Sequence, residues 1–205
     1  MTSTQQRYTS TQVQKSYDGV KRLADILLAA ALAVVLSPVM LALALAIRLD
    51  DPGPVLFRQR RTGRHGKLFT MLKFRTMVVN APNISTEEMK AQGRSFHTRI
   101  GRLLRKTSLD ELPQLWNILR GEMSFVGPRP ALYNQDRLIA LREEAGVHTV
   151  RPGITGWAQV NGRDDLDDET KVAYDREYVF TRSPRRDMET VWKTLTAIVS
   201  SRGNY

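Results

Sequence analysis

Asp110 and Glu111 stand side by side in a stretch of chain that surrounds them with positive charge. Arg99, Arg102, Arg105 and Lys106 precede the pair, and Arg129 follows in Gly127-Pro128-Arg129-Pro130, which reads as a rigid turn presenting one arginine. Lys73 and Arg75 lie further upstream, two residues apart. Carboxylates among cations suit phosphoryl chemistry. Basic groups bind phosphate oxygens, and a carboxylate can hold Mg²⁺, which usually takes one or two protein carboxylates plus substrate phosphates. An aspartate can also attack phosphorus to form an acyl phosphate. The same residues would equally make a salt-bridge network around a capped helix start, where the helix dipole favours acidic side chains. The pair alone leaves both readings open.

Other chemistries find no support in the sequence. There is no cysteine, so disulfides, thiolate metal sites and cysteine nucleophiles are excluded. The three histidines, at 65, 97 and 148, have no metal-ligand spacing. Gly63 and Gly66 are not followed by the Gly-Lys-Ser/Thr of a phosphate-binding loop, and neither GxSxG nor GxGxxG occurs.

The elements that must position these residues follow from pattern. Pro113 belongs in the first turn of a helix, so a helix starting at 109–112 and closed by Gly121 is expected, with the acidic pair at or just outside its N-terminus. DDPGP at 50–54 is a turn. VLFRQRR and KLFTMLKFRTM, separated by TGRHG, read as a β-hairpin in which Lys73 and Arg75 share one strand face. Residues 80–97 read as a polar surface loop, and RPGITGWAQVNGR as a shaped loop rather than a regular element. Helices are expected over 131–145, 171–180 and 187–200. In the last, Met188, Val191, Trp192, Leu195, Ile198 and Val199 form an apolar stripe that would serve either core packing or a membrane interface. The fold class is α+β, a small mixed helical and β-hairpin domain.

From Ile26 to Ile47 the chain runs 22 residues without a charge. As a helix this would reach about 33 Å, enough to cross a bilayer core. Ser37-Pro38 interrupts it, where proline removes a helix hydrogen bond and the serine hydroxyl can satisfy the freed carbonyl. Lysines and arginines flank both ends: Arg7, Lys15, Lys21 and Arg22 before, Arg48, Arg58, Arg60, Arg61, Arg64 and Lys67 after. Positive charge marks the cytoplasmic side. A re-entrant helix bent at Ser37-Pro38 satisfies both ends, whereas a kinked spanning helix satisfies one. The expected organisation is a polar tail over 1–17, a re-entrant membrane helix over 18–49 and a cytoplasmic domain over 50–205. With 31 basic against 21 acidic residues the net charge of +10 suits anionic partners, among them membrane lipids and phosphorylated substrates. Nucleic acid is not expected, because aromatics make up only 7% and do not interleave with the basic runs. A membrane-anchored basic binding module would explain charge and anchor but not the Asp-Glu pair.

At SLDELPQLWNILRGEMSFVGPRP, residues 108–130, the chain closely resembles the bacterial sugar transferase family, the monotopic polyprenyl-phosphate phosphoglycosyl transferases. Ser37-Pro38, GPVLFRQRRTGRHGKLFTMLKFRTM and RPGITGWAQVNGR match further signatures in the same order, so that residues 18–205 are covered. The resemblance implies a minimal, single-domain enzyme on the cytoplasmic face of the bacterial inner membrane. It would move a sugar-1-phosphate from a UDP-sugar to polyprenyl (undecaprenyl) phosphate with release of UMP, opening the assembly of an exopolysaccharide or related glycan. It further implies Asp110 as nucleophile, Glu111 as the acid of a Mg²⁺ site, and Lys73, Arg75, Arg129 and Arg163 as ligands of donor phosphate or uridine. A one-step scheme with Asp110 as general base shares these substrates. Donor preference is expected to depend on the 80–97 loop and the C-terminal region. The sequence leaves the sugar and the oligomeric state open.

Overall fold

The computed structural model describes residues 3–81, 96–162 and 166–199. Two helices open the chain, α1 (Ser3–Val35) and α2 (Ser37–Asp50), bent by 61° at Leu36. The bend has a local cause. Pro38 has no N–H, which leaves the Val34 carbonyl without its helical donor. The Ser37 hydroxyl donates to it instead at 2.7 Å, and the ladder resumes with Met40 N donating to Leu36 O. Among the described residues no single helix is long and apolar enough to cross a membrane; the bent pair qualifies only as a unit.

The apolar run has two different faces. On one, Ala29, Leu32 and Ala33 of α1 pack with Met71, Leu115, Ile118 and Met123, while Met40, Leu43, Ala44 and Ile47 of α2 pack with Phe74 and Leu104. On the other, Leu27, Leu28, Val34, Val35, Leu41, Leu45 and Leu49 are at least half exposed. Uniform hydrophobicity along the sequence therefore conceals helical periodicity in the structure.

An antiparallel hairpin follows, β1 (Leu56–Thr62) with β2 (Leu68–Phe74), in register from Leu56 opposite Phe74 to Thr62 opposite Leu68. β2 joins the two clusters, since Met71 enters the α1 core and Phe74 the α2 core. Helix α3 (Arg99–Thr107) is capped by Thr98, whose hydroxyl accepts from Gly101 N at 2.9 Å. Gly101 is pressed so closely on the Thr76 backbone that a Cβ would have no room. Ser108, at φ 58°, ends α3 in the left-handed conformation and starts a 3₁₀ turn, Leu109–Glu111. Helix α4 (Gln114–Arg120) comes next, with Pro113 just before its first residue and Gly121 at φ 85° closing it.

A two-stranded parallel sheet, β3 (Ser124–Val126) with β4 (Gly153–Thr155), brackets α5 (Asp136–Glu144). The chain then forms α6 (Trp157–Asn161), α7 (Asp168–Thr181) and α8 (Pro184–Val199). The shaped loop expected over 151–163 thus contains a strand and a short helix, because Gly153 fits directly against Gly127 and lets the two strands pair. The helix expected from 131 begins only at Asp136.

Helix α8 corrects the core-packing reading of its stripe. Met188, Trp192 and Leu195 are 67%, 69% and 52% exposed, and among the described side chains of the stripe only Val191 joins a core cluster. The face that docks is the more polar one. Asp187 receives Tyr17 Oη at 2.6 Å, Lys21 Nζ at 2.5 Å and Tyr178 Oη at 2.7 Å, Thr190 is fully buried, and Thr194 bonds Thr155. With Arg182 paired to Asp18, these contacts fasten α1 to α7 and α8. Arg22 adds another tie, donating to the terminal carbonyls of α4 at Ile118 and Leu119. The result is an α+β domain with α1 laid along it.

Candidate active site

Three short elements bring the site together. β2 supplies Lys73 near its end, the 3₁₀ turn supplies Asp110 and Glu111, and the segment after β3 supplies Arg129. Asn117 of α4 fixes the strand. Its Oδ1 accepts from Leu72 N at 3.0 Å and its Nδ2 donates to Thr70 O at 2.7 Å, as a neighbouring strand would. Lys73 Nζ then lies 2.6 Å from Glu111 Oε1 and 3.9 Å from Asp110 Oδ2. Arg129 Nη2 approaches the same Glu111 oxygen at 3.6 Å, with its side chain 43% exposed.

The two carboxylates are driven apart electrostatically. Burial raises the Asp110 pKa above the usual aspartate range; Lys73 and Arg105 oppose this and Glu111 adds to it. At Glu111 burial also disfavours charge, but Lys73 and Arg129 outweigh it and hold the carboxylate ionised below its ordinary range. One member of the pair is therefore a desolvated, more basic carboxylate and the other a clamped anion. Such a split assigns different roles to neighbouring acids.

The other expected residues are placed differently. Arg75 turns away: its guanidinium holds Asp51 through Oδ2 at 2.6 Å and through the Asp51 carbonyl. The strand ends at Phe74, so the alternation that puts residues 73 and 75 on one face no longer sets its direction. Arg163 lies outside the described residues, as do 82–95 of the loop expected over 80–97. Arg99, Arg102, Arg105 and Lys106 of α3 are all exposed, and of these Arg105 is felt at Asp110. Among the described residues no group of three acidic or histidine side chains could cage a metal. Asp110 and Glu111 suit the other Mg²⁺ mode, in which one or two carboxylates act together with substrate phosphates.

Sequence reasoning missed Asn117, Arg61, Arg142 and Asp175. Asn117, Arg142 and Asp175 signal themselves as polar residues on helix faces otherwise apolar, whereas Arg61 lies among other polar residues of β1 and gives no such signal. Asn117 sits beside Leu115 and Ile118, Arg142 one turn from Leu138, and Asp175 between Val172 and Val179. Arg61 is held at a pKa of about 10 by burial and by Arg129 and Arg142, partly offset by Glu111.

The sequence profile described as "Bacterial sugar transferase" matches residues 16–201. The chain belongs to the bacterial sugar transferase family. This transferase is 39% identical over 199 residues to the exopolysaccharide production protein ExoY of Sinorhizobium fredii, covering 90% of the chain and 88% of the relative. It is 40% identical over 194 residues to the UDP-glucose:undecaprenyl-phosphate glucose-1-phosphate transferase of Caulobacter vibrioides, covering 90% and 72%. To the undecaprenyl-phosphate galactose phosphotransferase of Salmonella typhimurium it is 35% identical over 214 residues, covering 97% of the chain and 44% of the relative.

Proposed function

We propose that this transferase is a phosphoglycosyl transferase that moves a sugar-1-phosphate from a UDP-sugar to polyprenyl phosphate and releases UMP. The observation that carries the reading is the divided pair, a desolvated Asp110 beside a Glu111 fixed by Lys73 and Arg129. In the first step the Asp110 carboxylate attacks the β-phosphorus of the donor, and the bond to the bridging oxygen breaks. UMP leaves with that oxygen, and the sugar phosphate remains on Asp110 as an acyl phosphate. In the second step an oxygen of polyprenyl phosphate attacks the same phosphorus and restores the carboxylate. The half-exposed Arg129 is free to meet the donor diphosphate, and Lys73 neutralises charge at the pair. Mg²⁺, held by Glu111 together with the diphosphate, would supply neutralisation of the leaving group.

In this reading the bent helices hold the chemistry at a membrane. Leu41, Leu45 and Leu49 on the outer face of α2, the exposed apolar outer face of α1 and the Trp192 stripe of α8 form the lipid-facing surfaces. In this reading the pair dips into the cytoplasmic leaflet of the bacterial inner membrane and returns, and the likeness to ExoY favours exopolysaccharide assembly.

A radiolabelled UDP-sugar taken from a panel screened for UMP release tests the covalent step. Without acceptor, wild type should retain label on the protein and Asp110→Asn should not. UMP release without any trapped label would favour Asp110 as a general base, a role its raised pKa also fits. Tags at both termini should be cytoplasmic, and a periplasmic N-terminus would exclude the re-entrant geometry.

A further inference from the structure

The segment Gly127–Ala131 carries Arg129 past Glu111, and its backbone is tied at five successive residues. Gly127 N donates to Thr155 O at 2.9 Å, and Pro128 O accepts from Gly153 N at 3.0 Å. Arg129 O accepts from Arg142 Nη1 at 2.7 Å, Pro130 O from Arg61 Nη1 at 2.9 Å, and Ala131 O from Thr62 N at 3.0 Å. Two of the five ties come from guanidinium groups aimed at main chain, one at the carbonyl of the residue that meets Glu111 and one at the carbonyl of the residue after it.

Arg142 is itself gripped. Its Nε and Nη2 both donate to Asp175 Oδ2, at 3.0 and 2.6 Å, and Asp175 is 1% exposed. A buried ion pair seldom stabilises a fold more than a well-packed apolar pair would. What the pair adds is the remaining nitrogen, which Asp175 orients onto the Arg129 carbonyl. Only the planar fork of arginine can bind a carboxylate with one edge and a carbonyl with the other.

We propose that Arg142, fixed by Asp175, is a positioning residue: it sets the place of Arg129 beside Glu111 and so governs the grip on the donor diphosphate. This rests on the role given to Arg129 above. Lysine at 142 keeps the charge but cannot span both partners, so the segment shifts. A misplacement of about 1 Å near reacting groups can lower rates about a hundredfold.

A double-mutant cycle on the full chain tests this, using UMP release from a UDP-sugar and calorimetric binding of UDP itself. Arg142→Lys should lower kcat/KM by about ten- to a hundredfold and weaken UDP binding, with membrane association intact. In an Arg129→Ala background the same change should cause no further loss, because the group it positions is gone. Losses that multiply, or an Arg142→Lys protein with wild-type UDP affinity, would overturn the proposal. Asp175→Asn should show a smaller loss with the same non-additivity, and it decides the matter if Arg142→Lys does not fold. Should Arg129→Ala itself bind UDP and turn over like wild type, the reading of Arg129 fails, and this inference with it. If only the Arg129 variant is impaired, that reading stands and the positioning role falls.

Discussion

Glu111 and Asp175 are both carboxylates met by arginine, and they are treated in opposite ways. Asp175 is sealed, taking two bonds from Arg142 at 3.0 Å or less with almost no solvent contact. Glu111 is shared: Lys73 touches it closely, Arg129 only at 3.6 Å, and the arginine stays partly in solvent. The one nitrogen the sealed pair has to spare goes to main chain, at the Arg129 carbonyl. A partly satisfied pair, beside a carboxylate that burial makes more basic, is arranged for a third charged party. The closed pair holds the backbone from which the open one works.

The largest effect should break the open side. Asp110→Asn is expected to reduce UMP release by more than about a thousandfold, as loss of a nucleophile does. Its melting temperature should hold or rise. Asp110 has a raised pKa, so between its unfolded and folded values the native state binds the extra proton, and stability falls as pH rises through that window. At neutral pH the amide removes that penalty. A marked drop in melting temperature would show that the charge is structural.

Asp175→Ala tests the closed side. It leaves Arg142 buried and unpaired, which should cost about 3–5 kcal/mol and roughly 10 °C in thermal melting. Glu111→Gln should cost no more than about 1–2 kcal/mol while activity falls about a hundredfold. Equal stability losses at the two sites would erase the distinction between them.

A pH profile sharpens it further. The acid limb of the first step should lie above that of an ordinary aspartate, with activity lost as falling pH protonates Asp110. Lys73→Met removes the cation opposing that shift, so the limb should move to still higher pH. Movement toward lower pH would contradict the electrostatic account. The smallest effect is expected at the bend, where Ser37→Ala removes the hydroxyl donated to Val34 O and should cost about 1 kcal/mol by denaturant titration.

The hairpin, the bend at Ser37-Pro38 and a helix opening near Pro113 and closed by Gly121 were legible because each rests on local chemistry: alternation, a missing N–H, a proline that limits where a helix can start. The helix begins at Gln114 rather than at 109–112, and Asp110 and Glu111 sit on a separate 3₁₀ turn set off by the left-handed Ser108. Arg75 was not, since its direction depends on where pairing stops. Helix α8 misled because its hydrophobic stripe is not its docking face; Asp187 and Thr194 find partners on α1, α7 and β4 that no window of sequence contains. The ties on residues 127–131 were invisible for the same reason, as the partners come from 61, 62, 142, 153 and 155.

Helix α1 also acts as a ruler. Arg22 is tied to the end of α4, Ala29 sits in the core, and Val35 adjoins the bend, all on one unbroken helix. At 1.5 Å per residue, the span from Arg22 to Val35 is fixed at about 20 Å. An inserted residue between Arg22 and Ala29 would turn everything beyond it by about 100°. The cap and the core contact could not then both be kept, so the length of this helix, and not merely its hydrophobicity, sets how far Asp110 and Glu111 stand from the turn in the chain.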